Sequence, residues 1–200
     1  TEFEIRSIIL VASASPWMVK VNFHWKGKRI TLPIPATYTD FISAPNNTEQ
    51  YLREYLSPKD YHVIAAPRLP RKLLAVRSGL GAYGRNNICY VDGFGSFINI
   101  SPFYTDIPCT EDSWCEIRQM DSCKGCKACI NNCPTSSILD DRFLIDNERC
   151  LTTFNERDSK DDFPQWIDMA SHNSLVGCLR CQTICPANKK HMSSKVESYD

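Results

Sequence analysis

Net charge is the first thing the sequence lacks: 23 lysines and arginines meet 23 aspartates and glutamates. Such a balance argues against a general electrostatic grip on nucleic acid or anionic lipid, leaving room only for a local patch. Long apolar runs are also missing. The best, SIILVASA, stops after eight residues, where a membrane-spanning helix needs about 20. No stretch joins a basic start, an apolar middle and a small-residue cleavage site as a secretory signal does. The four histidines, His24, His62, His172 and His191, are scattered, and none pairs with another at metal-binding spacing. Neither a nucleophilic triad motif nor a phosphate-binding loop appears. The chain opens at Thr1, with a strand-like segment close behind, and is read as a fragment or processed chain.

What is present is a globular composition, 42% hydrophobic and 23% charged, with length for one domain or two small ones. The texture divides near Cys109. Before it stands a single cysteine, Cys89, among alternating helix and strand signals. Val19, Val21, Phe23 and Trp25 alternate with Lys20, Asn22 and His24, then Lys26-Gly27-Lys28 turns the chain into Ile30, Leu32 and Ile34. That pattern predicts a hairpin. NNTEQYLREYLSP predicts a helix with Asn47 and Gln50 spaced as a capping box, and RKLLAVRSG a helix ending at Gly79. NICYV and GSFINISPFY predict strands joined through the turn Asp92-Gly93-Phe94-Gly95.

From Cys109 onward loops and cysteines dominate. The chain holds 11 cysteines, an odd number that forbids complete internal disulfide pairing and, without an export signal, points to a reducing, cytoplasmic setting and to metal. Cys123, Cys126, Cys129 and Cys133, followed by Pro134, give C-x2-C-x2-C-x3-C-P, the bacterial ferredoxin spacing for a 4Fe-4S cluster. A loop with a cysteine at every third residue wraps three corners of a cubane, and the fourth thiol points away. In two-cluster ferredoxins it ligates the other cluster. Cys178, Cys181 and Cys185, followed by Pro186, repeat the tail one cysteine short, and Cys150 makes good the deficit. The crossing rule assigns Cys123, Cys126, Cys129 and Cys185 to cluster one, and Cys133, Cys150, Cys178 and Cys181 to cluster two. A zinc ribbon has no use for the third cysteine of each run or for the prolines. Cys89, Cys109 and Cys115 fall outside the pattern and read as ordinary thiols. His172, in SHNSLVGC, reads as a structural polar contact that could also line a cluster.

GLGAYG, from Gly79 to Gly84, satisfies G-x-G-x-x-G, but a helix precedes it and a strand follows, the reverse of a dinucleotide fingerprint. Such a loop lets backbone approach something closely, either a flat ligand or the neighbouring domain.

Taken together, LAVRSGLGAYGRNN, CKGCKACINNCPTSSI, NERCLTTFNE and LVGCLRCQTICPANK resemble the epoxyqueuosine reductase-like family, cobalamin-dependent proteins with a double 4Fe-4S domain related in architecture to reductive dehalogenases. The resemblance runs from about Val63 to Lys189. FHWKGKRITLPIPATY resembles a subgroup of iron–sulfur proteins allied to that family. The resemblance implies an α+β fold: a mixed α/β domain with an antiparallel sheet over residues 1–108, part of a corrinoid-type domain, then a ferredoxin-like two-cluster domain over 109–200. It implies an oxidoreductase function, in which two 4Fe-4S clusters pass single electrons from a donor such as a ferredoxin or flavodoxin to cobalamin, for reduction of a small molecule or modified base. The contrasting expectation is an electron carrier with no active site of its own. Gly79, Gly81, Tyr83, Gly84, Arg85 and Asn86 fall on the family's corrinoid side. The family's proton-donating acidic residue falls here at apolar Ile64, and the helical repeats that bind tRNA do not follow Pro186, so tRNA binding is not expected of this stretch.

Overall fold

The computed structural model describes residues 3–15, 18–39, 43–111, 114–157, 163–192 and 198–199. Strand β1 (Ser7–Ala14) is followed by β2 (Val19–Trp25) and β3 (Lys28–Ile34), then by α1 (Ala36–Thr39) and α2 (Ser43–Leu56). Strand β4 (Val63–Ala65), helix α3 (Arg71–Arg77) and strands β5 (Ala82–Tyr83), β6 (Cys89–Tyr90) and β7 (Ile98–Thr105) complete the first half. Beyond it, among the described residues, stand the short helices α4 (Ala128–Asn131), α5 (Leu151–Asn155) and α6 (Arg180–Thr183), single 3-10 turns, and β8 (Ser198–Tyr199). The architecture is mixed helix and largely antiparallel sheet. No helix among the described residues is long and apolar enough to cross a membrane.

β7 is the centre of the main sheet, in the order β1-β7-β4, antiparallel on both sides. Alternation along β1 and β7 gives the sheet two apolar faces. On one, Ile9, Val11, Val63, Ala65 and Phe103 pack with Leu52 and Leu56 of α2. On the other, Ala12, Ile98 and Ile100 pack with Ala75 and Val76 of α3 and with Tyr83, Cys89 and Phe143. Phe143 belongs to the cysteine-rich half, so this second core is built from both halves of the chain.

The β2–β3 hairpin forms through the two-residue turn Lys26-Gly27, with φ of 49° and 73°, the left-handed pair that tight hairpins require. It is a ribbon at the side of the body, with Val19 to Phe23 half-buried and Trp25 exposed. Two expectations need correction. Helix α2 begins at Ser43, about a turn before Asn47, because Pro45 is tolerated in a first turn where no backbone donor is needed. Gln50 therefore donates to Glu54 at 2.9 Å instead of capping. The turn at Asp92–Gly95 does form, Val91 and Gly95 exchanging backbone bonds. Yet β6 pairs with β5, while β7 pairs with β1 and β4, because the longer strands offer β7 the larger apolar surface.

Candidate metal centre

The seven cysteines of the two runs and Cys150 come together as two groups of four. One cavity of about 300 Å³ is lined by Cys123, Cys126, Cys129 and Cys185, with Gly84, Arg85, Asn86 and Tyr90. A second, of about 600 Å³, is lined by Cys133, Cys150, Cys178 and Cys181, with Asn86, Ser137, Ile138 and Leu151. None of the eight is in a disulfide. Among the described residues no three or more His, Cys, Asp or Glu gather tightly enough for a single metal ion. Thiols set around cavities of this size suit an object larger than one ion.

Local sequence explains the division. Cys129 lies in α4 and Cys133 just past its end; Cys181 lies in α6 and Cys185 just past its end. Each short helix therefore carries one thiol toward one cavity and, a turn later, another toward the second. The two helices pack on each other, and the Asn132 side chain donates to the Arg180 carbonyl at 2.8 Å. Pro186, behind Cys185, opens a 3-10 turn where proline's missing donor costs nothing. Gly125, at φ 71°, lets the first loop curl between Cys123 and Cys126.

Hydrogen-bond donors meet the sulfurs. The Arg85 backbone N–H points at Cys123 Sγ (3.4 Å), that of Ser137 at Cys133 Sγ (3.3 Å), and the Asn173 amide at Cys178 Sγ (3.3 Å). Burial, then the neighbouring thiols Cys123 and Cys185, push Cys129 up to about 11. Burial, then Cys178, push Cys181 up to about 12. Cys123 and Cys178 shift the same way, burial again leading. Metal-free, these thiols hold their protons at neutral pH, so loading releases protons and grows more favourable as pH rises.

The glycine loop is turned inward, onto these cavities. A Cβ on Gly81 would come within 2.7 Å of the Tyr90 carbonyl oxygen and 2.8 Å of Cys89 Sγ; one on Gly84 would come within 2.6 Å of the Tyr90 ring. Gly79 takes φ 79° at the end of α3. Tyr83 is buried, edge-on to Phe143 at 5.2 Å. The Arg85 guanidinium donates to the Cys123 carbonyl (3.0 Å) and to Asp140 (3.0 Å), and Asn86 is buried against Tyr90 and Cys181. α3 lies before the loop, β5 lies within it and β6 follows, so no helix N-terminus is presented to a phosphate.

The remaining thiols are dispersed. Cys89 lines the larger cavity, and burial pushes its thiol up to about 11. Cys109 lies at a separate cavity beside Trp114, and Cys115 lies next to Gly79. His172 stacks edge-on with Phe163 at 4.6 Å, and the residue meeting the Cys178 sulfur is its neighbour Asn173. Sequence reasoning also missed Ser137 and Tyr90, since nothing in their local pattern marks them as facing sulfur.

Residues 122–188 match the family of 4Fe-4S double cluster binding domains. The chain is similar to an epoxyqueuosine reductase of Bacillus cereus, 29% identical over 191 residues that make up 92% of this chain and 48% of the relative. Its fold matches an epoxyqueuosine reductase from Bacillus subtilis, with a TM-score of 0.69 and 24% identity over 93% of this chain and 49% of that one. A crystal structure of epoxyqueuosine reductase with a tRNA-Tyr epoxyqueuosine-modified stem loop is also similar, with a TM-score of 0.64 and 25% identity over 77% and 40% of the chains. The chain spans about half the length of the relatives it matches.

Proposed function

We propose, from the premise that this chain is a homologue of the epoxyqueuosine reductases with a 4Fe-4S double cluster binding domain at residues 122–188, that it carries single electrons through two clusters within a reductase. The observation that carries this reading is the pair of cavities, each bringing together four of the eight spaced cysteines. Cys123, Cys126, Cys129 and Cys185 would hold cluster one, and Cys133, Cys150, Cys178 and Cys181 cluster two, in the ferredoxin-like crossing arrangement. When bound, each cluster supplies a one-electron carrier whose potential is set by sulfur hydrogen bonds and exposure.

The chain's own residues hold the thiolates, aim N–H donors at the sulfurs, and exclude water with Ile138 and Leu151, both buried. Helices α4 and α6 each join a ligand of one cavity to a ligand of the other, giving a short covalent route between them. The donor we propose is a ferredoxin or flavodoxin, in a reducing cytoplasm where thiols stay available.

The finer form of the reading makes a corrinoid the acceptor and a modified base in RNA the substrate. What supports it is homology alone. Gly81, Tyr83, Gly84, Arg85 and Asn86 are occupied by contacts within the chain, so the inner side of this loop does not fit a corrinoid. The alternative, a carrier with no active site, is separated by offering cobalamin to the full-length protein: a shifted corrinoid spectrum favours the reductase, and none favours the carrier.

Anaerobically purified protein is expected to hold about eight irons and eight sulfides per chain. Cys150→Ser is expected to remove the spectroscopic signal of cluster two and spare cluster one, and Cys185→Ser to do the reverse. Zinc in place of iron would sink the reading, and the same signal lost in both variants would overturn the ligand sets.

A further inference from the structure

We infer that Asn86 and Tyr90 form a hydrogen-bonded bridge between the two cluster sites and set their potentials, Tyr90 acting on cluster one alone and Asn86 on both. The inference rests on the two-cluster reading above.

Asn86 lines both cysteine cavities. It is buried, at 4% exposure, and every polar atom of its carboxamide has a partner. Its Nδ2 donates to Tyr90 Oη at 3.0 Å and to the backbone carbonyl of Cys181, a ligand of the larger cavity, at 3.4 Å. Its Oδ1 accepts from the Ile88 N–H at 3.3 Å, which fixes the amide's orientation. The donor edge therefore faces both sites.

Tyr90 is equally buried and lines the smaller cavity together with Cys185. Because its oxygen accepts the Asn86 N–H, its own proton is left to point elsewhere. Cys185 lines the same small cavity and is the acceptor that the bridge assigns to this proton. The bridge so inferred runs from Asn86 N–H to Tyr90 Oη and on toward Cys185 in the same cavity, with a branch from Asn86 to the Cys181 carbonyl.

Reduction adds negative charge to a cluster and its thiolates. A donor aimed at a ligand sulfur stabilises the reduced form more than the oxidised one and raises the potential. Removing the donor lowers it. A hydrogen bond to a charged group contributes enough to change the reduced-to-oxidised ratio about tenfold at fixed applied potential, which for one electron is about 59 mV. Tyr90 and Asn86 are positioning residues in this scheme, since neither ligates iron.

The test is redox titration of anaerobic, iron-replete protein followed by electron paramagnetic resonance, with cluster two identified as the signal that Cys150→Ser removes. Tyr90→Phe is expected to lower the midpoint of cluster one by about the tenfold equivalent and leave cluster two in place. Asn86→Leu is expected to lower both. Replacing Tyr90 by 3-fluorotyrosine keeps the ring and makes the hydroxyl a stronger donor, so cluster one should move upward. This third variant decides the matter if Tyr90→Phe sheds iron. Midpoints that ignore the fluorinated ring, or that move together in Tyr90→Phe, would overturn the bridge while leaving eight irons per chain and the two-cluster reading intact. A wild-type protein without two clusters would overturn the reading itself.

Discussion

Protein stripped of iron by an anaerobic chelator is expected to lose hydrogen-exchange protection across residues 123–188 by about 100-fold or more, while β1, β7 and α2 keep theirs. The cysteine-rich half has little else to hold it. Its helices α4, α5 and α6 run only four or five residues, and isolated helices shorter than about 12 residues are marginal in water. Among its described residues the buried large apolar side chains are few: Ile138, Leu151, Ile167 and Leu179. Much of the remaining buried material is small and polar, such as Thr135, Ser137, Ser171 and Ser174. Two cubanes crossing between the runs would tie three distant stretches together, as structural metals do in other small folds.

The first half contains a core that needs no cysteine ligand. Phe103, Val63 and Leu56 pack with Ile9, Val11 and Leu52 between the main sheet and α2. The other face of the sheet is less independent, because Phe143 completes it, and α3 is expected to lose protection partially. Exchange read by mass spectrometry in the loaded and stripped forms checks the gradient. Equal protection in both forms would show that the polypeptide alone specifies this half.

The grouping of the eight cysteines was legible because cluster ligation would impose spacing on the sequence. A cysteine at every third residue, an extra thiol set further on and a proline behind it are visible without coordinates. The hairpin around Lys26-Gly27 was legible for a similar reason, since alternation and a two-residue turn are local. What resisted reading was long-range choice. The pairing of β7 with β1 joins Ile9 to Phe103, and nothing local says that β7 prefers that partner to the nearer β6. Gln50 has the spacing of a capping residue, and only the earlier start of α2 at Ser43 shows that it bonds Glu54 instead. Asn86 and Tyr90 carry no motif. Their placement depends on Gly84 and on Cys181, about a hundred residues apart in sequence. The 109 boundary likewise marks a change of texture, but Asn188, fully buried, accepts from the Ser96 N–H at 2.8 Å and donates to the Ser96 hydroxyl at 2.7 Å, across it.

Gly84→Ala is expected to destabilise the loaded protein by about 2–3 kcal/mol, the upper part of the range for overpacking a filled site, and to disturb the signals of both clusters. Gly84 does not need a left-handed backbone, so the argument is one of space. Its added Cβ would lie 2.5 Å from Asn86 Oδ1 and 2.6 Å from Tyr90 Cε2, and neither can retreat. Asn86 is held by Tyr90, Cys181 and Ile88, and Tyr90 is packed in the core against the smaller cavity. The methyl group must therefore displace the carboxamide, and with it the side chain that lines both cavities. Gly93→Ala is the fitting control. Gly93 takes φ 76° with nothing within 4 Å of its added Cβ, so alanine there costs about 1–2 kcal/mol of backbone strain and no contact with either cavity. Denaturant midpoints measured anaerobically would give similar losses for the two variants, whereas spectra of the folded proteins separate them. Unchanged cluster spectra in Gly84→Ala would mean that Asn86 can move without the clusters sensing it, and that the close approach at Gly84 serves packing alone.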